Sequence, residues 1–282
     1  MARPWTLLLP LLLGLGWADT AARGSHPVLV RLPGSERADL LGSSRDGRWV
    51  EAQRTVPGVA GGEHYRVFAG PTALGEAQGS RPESGEPCGW NYGVALSPNP
   101  SPARWVVATT APWNLQPRAV EELPTANSPY AAVVRGLLAR KGLRDPQVRL
   151  TRVLRADLEG DGRQEVILAA TRYAGRDGPF PPGHGEAGDY SLAVVRRLAS
   201  DDPASLQTLE LGASVTARPS GPGASAPQPY ALRFDVVGVY DLNGDGRMEL
   251  VFWDAFYEGY TLSVLEWDGK GFREALSTGC GA

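Results

Sequence analysis

The chain has 282 residues, a formal charge of −3, 35 glycines and 24 prolines. That length accommodates one large core or two modest ones, and the glycine and proline content calls for many turns rather than long helices. A near-neutral balance with no Lys/Arg cluster excludes nucleic acid as a partner.

Residues 1–22 read as a signal peptide: Arg3, an apolar run from Leu7 to Trp17, and small residues Ala18, Ala21 and Ala22 where a peptidase cuts. The run is shorter than the roughly 20 apolar residues of a bilayer span, and no later segment is longer. The expected product is exported, secreted or periplasmic, with no membrane span in the mature chain. Cys88 and Cys280 are the two cysteines. In an oxidising compartment an even pair favours a disulfide; two separate free thiols are the alternative.

Residues 23–120 form a β-rich N-terminal region with strand-like runs "RWVEAQRTV", "HYRVFAG" and "ARWVVATT". Loops "RPESGEP" and "SPNPSP" flank "CGWNYGVAL". Residues 121–282 open with one helix in "NSPYAAVVRGLLARKG", with Ser128 as N-cap, Pro129 at the first helical position and Gly142 as the stop. Val133, Val134, Leu137 and Leu138 give it an apolar side for packing on a sheet, with Arg135, Arg140 and Lys141 on a solvated face.

Two strings beyond the helix carry alternating oxygen-bearing side chains and a glycine turn, "ADLEGDGRQEVILAA" and "YDLNGDGRMELVFWD". Asp157, Glu159, Asp161 and Glu165 of the first match Asp241, Asn243, Asp245 and Glu249 of the second at an offset of 84, and Val153, Gly160, Arg163, Tyr173 and Gly175 keep the same offset. "YSLAVV" at Tyr190 then aligns with "YTLSVL" at Tyr260 at an offset of 70, so the first copy holds about 14 more residues, 176–189. Each copy reads as a four-stranded antiparallel meander with the acidic loop as its first hairpin. The fold class is therefore mainly β: two blade-like repeats, one packed helix and a further β-rich region.

Several oxygens around one turn suit a hard cation such as Ca²⁺. An EF-hand is excluded, because its twelfth position would fall on Leu168 and Phe252. The Asp-x-Asx-x-Asp-Gly-x-x-acid spacing, entered and left by strands, resembles the calcium loops of FG-GAP/VCBS repeats of integrin-α-type propellers, over about residues 148–276. The resemblance implies as ligands the side chains of Asp157, Glu159, Asp161 and Glu165 with the Arg163 carbonyl, and those of Asp241, Asn243, Asp245 and Glu249 with the Arg247 carbonyl. Glu159 is long for its place, so the second loop is expected to be the better site. The competing reading is a metal-free turn satisfying its own backbone.

For catalysis the sequence offers no G-x-S-x-G, no H-E-x-x-H, and no ligand spacing among His26, His64 and His184. The enzymatic alternative is a carboxylate-dependent hydrolase such as a glycosidase, with Asp254 and Glu258 beside Trp253, Tyr257 and Tyr260 in a sugar cleft. The preferred reading is a non-enzymatic calcium module with a structural role or with an extracellular or periplasmic protein or carbohydrate partner. The insertion 176–189, with Phe180 and His184 among Pro and Gly, is the candidate contact surface, read as a projecting adaptable loop; neutral drift in a surface loop is the alternative.

Overall fold

A computed structural model describes residues 24–100, 103–174, 178–218 and 230–281. The leader reading, and residues 176 and 177 of the insertion, lie outside the described residues.

The N-terminal strands are β1 (Ser25–Arg31), β2 (Arg37–Arg45), β3 (Arg48–Glu51), β4 (His64–Ala69), β5 (Thr72–Gly79), β6 (Glu83–Ser84), β7 (Tyr92–Ser97) and β8 (Val106–Thr109). They pair in the order β3-β2-β1-β8-β4-β5-β7-β6, and β2 also pairs with β7. The strands β2, β1, β8, β4, β5 and β7 thus close into a ring. Leu29, Leu40, Tyr65, Val67, Val94 and Val106 fill its interior. Neighbours one residue away, Val28, Val30, Leu41 and Val107, face outward into a second core, as a period of two dictates.

The string "RWVEAQRTV" is a strand only as far as Glu51. Ala52 starts a single helical turn, α1 (Ala52–Thr55), in which the Thr55 hydroxyl donates back to the Glu51 carbonyl at 3.0 Å. Ala52 and Thr55 are buried there, so packing overrides the β-branched pattern.

After the barrel come β9 (Val120–Glu122), α2 (Ser128–Arg140), β10 (Leu150–Ala156), β11 (Glu165–Arg172), β12 (Tyr190–Leu198) and β13 (Leu206–Val215). These strands form an antiparallel sheet in the order β13-β12-β11-β10-β9, one strand wider than the expected meander because β9 joins its edge. The helix N-cap is Asn127 rather than Ser128: its Oδ1 accepts from the Tyr130 amide at 3.2 Å. Val134 and Leu138 are fully buried against Leu150, Val153, Leu168 and Leu192, each contributing about 1.5–3 kcal/mol. Gly142, at φ +95°, follows the C-cap.

The last four strands, β14 (Arg233–Tyr240), β15 (Glu249–Phe256), β16 (Gly259–Trp267) and β17 (Phe272–Gly281), make an antiparallel meander. One face, with Val237, Val251, Trp253, Ala255 and Val264, packs on the outside of the barrel. The other, with Val236, Val239, Leu250 and Phe252, packs on Leu154, Ile167, Ala193 and Val195 of the β9–β13 sheet. Burial on both faces explains why "ELVFWDA" is almost continuously apolar.

Cys88 and Cys280 form a disulfide with Cα atoms 5.5 Å apart, tying the barrel to the end of β17. The described part of the insertion does not project. Phe180 packs on Trp253 with ring centroids 6.1 Å apart, and His184 pairs with Tyr230 and stacks on its ring. Among the described residues, no helix is long and apolar enough to cross a membrane.

Candidate functional site: two adjoining acidic hairpins

Each acidic string is a hairpin loop, closed by the pair Ala156–Glu165 between β10 and β11 and by Tyr240–Glu249 between β14 and β15. In the first, Asp157 Oδ1 accepts from the amides of Gly160 (2.7 Å) and Asp161 (3.2 Å), and Oδ2 from Gly162 (3.0 Å). In the second, Asp241 Oδ1 accepts from Gly244 (2.7 Å) and Oδ2 from Gly246 (3.0 Å). Gly160, Gly162, Gly244 and Gly246 all lie at φ between +78° and +85°, a conformation that side chains with a Cβ resist.

The remaining acids complete the turns. Glu165 Oε2 accepts from the Leu158 amide at 2.9 Å, and Glu249 Oε2 from Leu242 at 2.8 Å. Asp161 and Asp245 accept from the amides of Arg163 and Arg247, and Asn243 from that of Asp245. Glu165 Oε1 is buried without a hydrogen-bond partner. As arranged, no three His, Cys, Asp or Glu side chains among the described residues converge closely enough to hold a metal ion. The loops instead fold their oxygens onto their own backbone.

The two loops differ in what surrounds their charge. In the first, Glu159 pairs with Arg197 at 2.5 Å, and Asp161 with Arg163, which also reaches Asp201 at 3.2 Å. In the second, no lysine or arginine among the described residues pairs with Asp241, Asp245 or Glu249. Burial pushes the Glu249 carboxyl well above its usual range, and Asp245, Asp241 and Glu266 push it further against the opposing Leu242 amide. Asp241 is also raised by burial, opposed by the amides of Gly244 and Gly246. Burial raises Glu165 to about 7, with Glu159 and Asp161 adding to it.

The loops adjoin: the Met248 amide donates to the Leu158 carbonyl at 2.9 Å. A segment with no recognisable sequence pattern, between β8 and β9, holds them. Arg118 donates to the carbonyls of Asp157 (2.6 Å) and Leu158 (3.0 Å) in one loop and of Gly246 (2.7 Å) in the other. Trp113 Nε1 donates to the Asp241 carbonyl at 2.8 Å, and the Asp241 amide to the Leu115 carbonyl at 2.7 Å. Sequence reading missed Trp113 and Arg118 because their partners lie 39 to 128 residues away.

Of the proposed sugar-cleft residues, Trp253 and Tyr260 line one cleft, but neither Asp254 nor Glu258 joins them there. Trp253 is buried towards the barrel, and the alternation of β15 turns Asp254 to the opposite face. Asp254 is raised to about 6 by burial and by Glu274, not by Glu258, while Tyr257 lies exposed beside Tyr230. The histidines are scattered: His26 is buried, edge-on to Trp113 at 4.9 Å, His64 is exposed on β4, and His184 lies against Tyr230.

Comparison with known protein families, with curated proteins and with solved structures returned no match.

Proposed function

We propose that this chain is an exported, non-enzymatic β-repeat module, similar to FG-GAP/VCBS repeats, that Ca²⁺ stabilises and that binds a protein or carbohydrate partner. The observation carrying this reading is the second hairpin. Three carboxylates and an amide oxygen belong to one turn, Asp241 and Glu249 are at most 4% exposed, and no cationic side chain among the described residues pairs with them. The two buried carboxylates Asp241 and Glu249, with the exposed Asp245 beside them, call for positive charge, and an all-oxygen donor set selects a hard cation for it.

Asp241, Asn243, Asp245 and Glu249 with the Arg247 carbonyl would hold the ion in the second loop. Asp157, Glu159, Asp161 and Glu165 with the Arg163 carbonyl would do so in the first, where the unpartnered Glu165 Oε1 is a ready donor. The ion would supply charge neutralisation; the chain would supply the loop carboxylates, which would turn towards it from the backbone amides they now accept from. The spans of β10–β11 and β14–β15, which coincide at the offset of 84 except that β14 begins one residue earlier, support the repeat reading. The disulfide is compatible with an oxidising compartment.

The test is thermal unfolding with and without Ca²⁺. A ligand that binds only the folded loops raises the melting temperature, and Asp241→Ala combined with Asp157→Ala abolishes the rise. A wild-type melting curve indifferent to both Ca²⁺ and chelator sinks the proposal.

A further inference from the structure

A cleft of about 400 Å³ opens where the barrel, the insertion and the β14–β17 sheet meet. Its main walls are Trp105, Phe180, Trp253 and Tyr260, with Arg233 and Asp235 at its polar edge. The walls are aromatic and mutually braced: Trp105 lies edge-on to Trp253 at 5.4 Å, and Phe180 is 6.1 Å from Trp253 and 6.4 Å from Tyr260. A concave site of this size, mostly apolar with few polar groups, is the usual form of a small-molecule pocket. It does not follow from the acidic hairpins or their metal. The position matching Trp253 in the first copy is Ala169, so the cleft belongs to the second sheet alone.

The polar groups define what fits. Tyr260 already donates its hydroxyl to Asp39 at 2.7 Å, and Asp235 is engaged by Arg152 at 3.4 Å. Arg233 is placed by two carbonyls, those of Gly178 at 2.6 Å and Pro179 at 2.9 Å, both on Nη1, and its guanidinium carbon lies 5.6 Å from the Trp253 ring centre. Its Nε is buried without an acceptor, and Nη2 has none among the described residues. The Nε–Nη2 edge of a guanidinium is a planar two-donor fork that matches a carboxylate. Trp253 Nε1 is a further buried donor with no partner.

The surroundings reinforce that sign. Arg149 lines a smaller recess sharing Phe180 and Arg233, and Arg104 and Arg152 line another sharing Trp105. Against these four arginines stand three carboxylates, Asp235 and Glu122, both paired with Arg152, and Asp39 on the Tyr260 hydroxyl, a formal excess of one positive charge in a chain whose overall charge is −3. A cleft walled by low-dielectric rings focuses such a field on an anion. A sugar needs several donors and acceptors at once, whereas the Arg233 edge and Trp253 Nε1, uncommitted among the described residues, are two donors, which suit an acceptor-only carboxylate.

We infer that this cleft binds a small aromatic carboxylate, its ring among Trp105, Phe180, Trp253 and Tyr260 and its carboxylate on Arg233. Phenylacetate is the probe, with acetate lacking the ring and phenylethylamine reversing the charge, each titrated into the intact protein by calorimetry and tryptophan fluorescence. Phenylacetate binds saturably, acetate at least about tenfold more weakly, and phenylethylamine not measurably. Arg233→Gln weakens phenylacetate by about tenfold or more. Because Arg233 also pins the insertion, Trp105→Leu on the barrel wall is the second variant, and it weakens binding while the melting temperature holds. No saturable binding of phenylacetate overturns the assignment. So does equal binding of the amine, or undiminished binding in folded Arg233→Gln or, where that variant does not fold, in Trp105→Leu.

Discussion

The Nε of Arg118 lies 2.6 Å from the carbonyl oxygen of Asp157, and the Nη1 of the same guanidinium lies 2.7 Å from that of Gly246 in the neighbouring loop. One side chain from a connecting segment therefore fixes the relative position of two hairpins that belong to different sheets. Removing it leaves three carbonyls, those of Asp157, Leu158 and Gly246, without their charged donor. Hydrogen bonds to charged groups contribute about 1.5–3 kcal/mol each, less in a network where the carbonyls recover water. Arg118→Ala should cost about 2–4 kcal/mol in urea unfolding, and Arg118→Lys, which has no fork, should recover only part of it. Unchanged stability in Arg118→Ala would mean that the loops are held by their own turns alone.

The hairpins themselves were readable in the sequence because everything they need is local. Asp157 and Asp241 reach amides three to five residues on, and the glycines sit where φ is positive. The helix was readable for the same reason, apart from a one-residue shift of its cap to Asn127. What was not readable depends on distant chain. Closure of the barrel rests on β1 meeting β8 and β2 meeting β7, which no local pattern encodes. Phe180 looked like a residue on a projecting loop, since its partners Trp253 and Tyr260 lie in another sheet. Arg118 sits in "NLQPRAV", which has neither strand nor helix periodicity, and its role appears only when the two loops are placed side by side.

Cys88 and Cys280 enclose most of the described chain and join the barrel to the last strand. Cross-linking removes conformations from the unfolded chain, and loss of such a bridge costs about 2–5 kcal/mol. The double variant Cys88→Ala/Cys280→Ala should therefore unfold at a lower urea concentration than the oxidised protein, by that margin. Non-reducing peptide mapping of protein made in an oxidising compartment should give a single linked peptide pair. Two alkylatable thiols in native protein would contradict the bridge.

In calcium-free protein, the acidic loops should make stability depend on pH in a direction opposite to that of ordinary paired carboxylates. Burial raises the folded-state pKa of Glu249 well above its usual range and that of Glu165 to about 7. A carboxyl raised in the folded state favours folding while it is protonated. Its contribution is fully present below its unfolded pKa and is lost as pH rises through the folded value. With chelator present, the melting temperature should fall between about pH 5 and 8, and Glu249→Gln should flatten the slope. Ca²⁺, as the proposed neutralising charge, should flatten it too. If Glu249→Gln leaves the calcium-free slope unchanged, Glu249 is not the titrating group.

Which loop holds Ca²⁺ more tightly is decided by charge count against prior commitment of the charges. The first loop carries four carboxylates and the second three with an amide, so Coulomb attraction alone ranks the first ahead. Two of the first loop's four are already paired, Glu159 with Arg197 and Asp161 with Arg163. Arg118 adds a third cation, with its Nε 3.8 Å from Asp157 Oδ2. Arg197 is itself seated over the Trp267 ring at 4.6 Å, so it does not give up Glu159 freely. Entry of Ca²⁺ into the first loop would have to break these pairs or tolerate their repulsion, whereas in the second loop Asp241, Asp245 and Glu249 pair with no cation among the described residues. The second loop should bind more tightly. Asp241→Ala should then remove the tighter phase of a calorimetric titration and Asp157→Ala the weaker. Arg197→Met, which frees Glu159, should tighten the first phase-forming loop without altering the second, and Glu159→Asp should act in the same direction by shortening the ligand and weakening its reach to Arg197. If Asp157→Ala instead removes the tighter phase, charge count outweighs the arginine pairs and the ranking reverses.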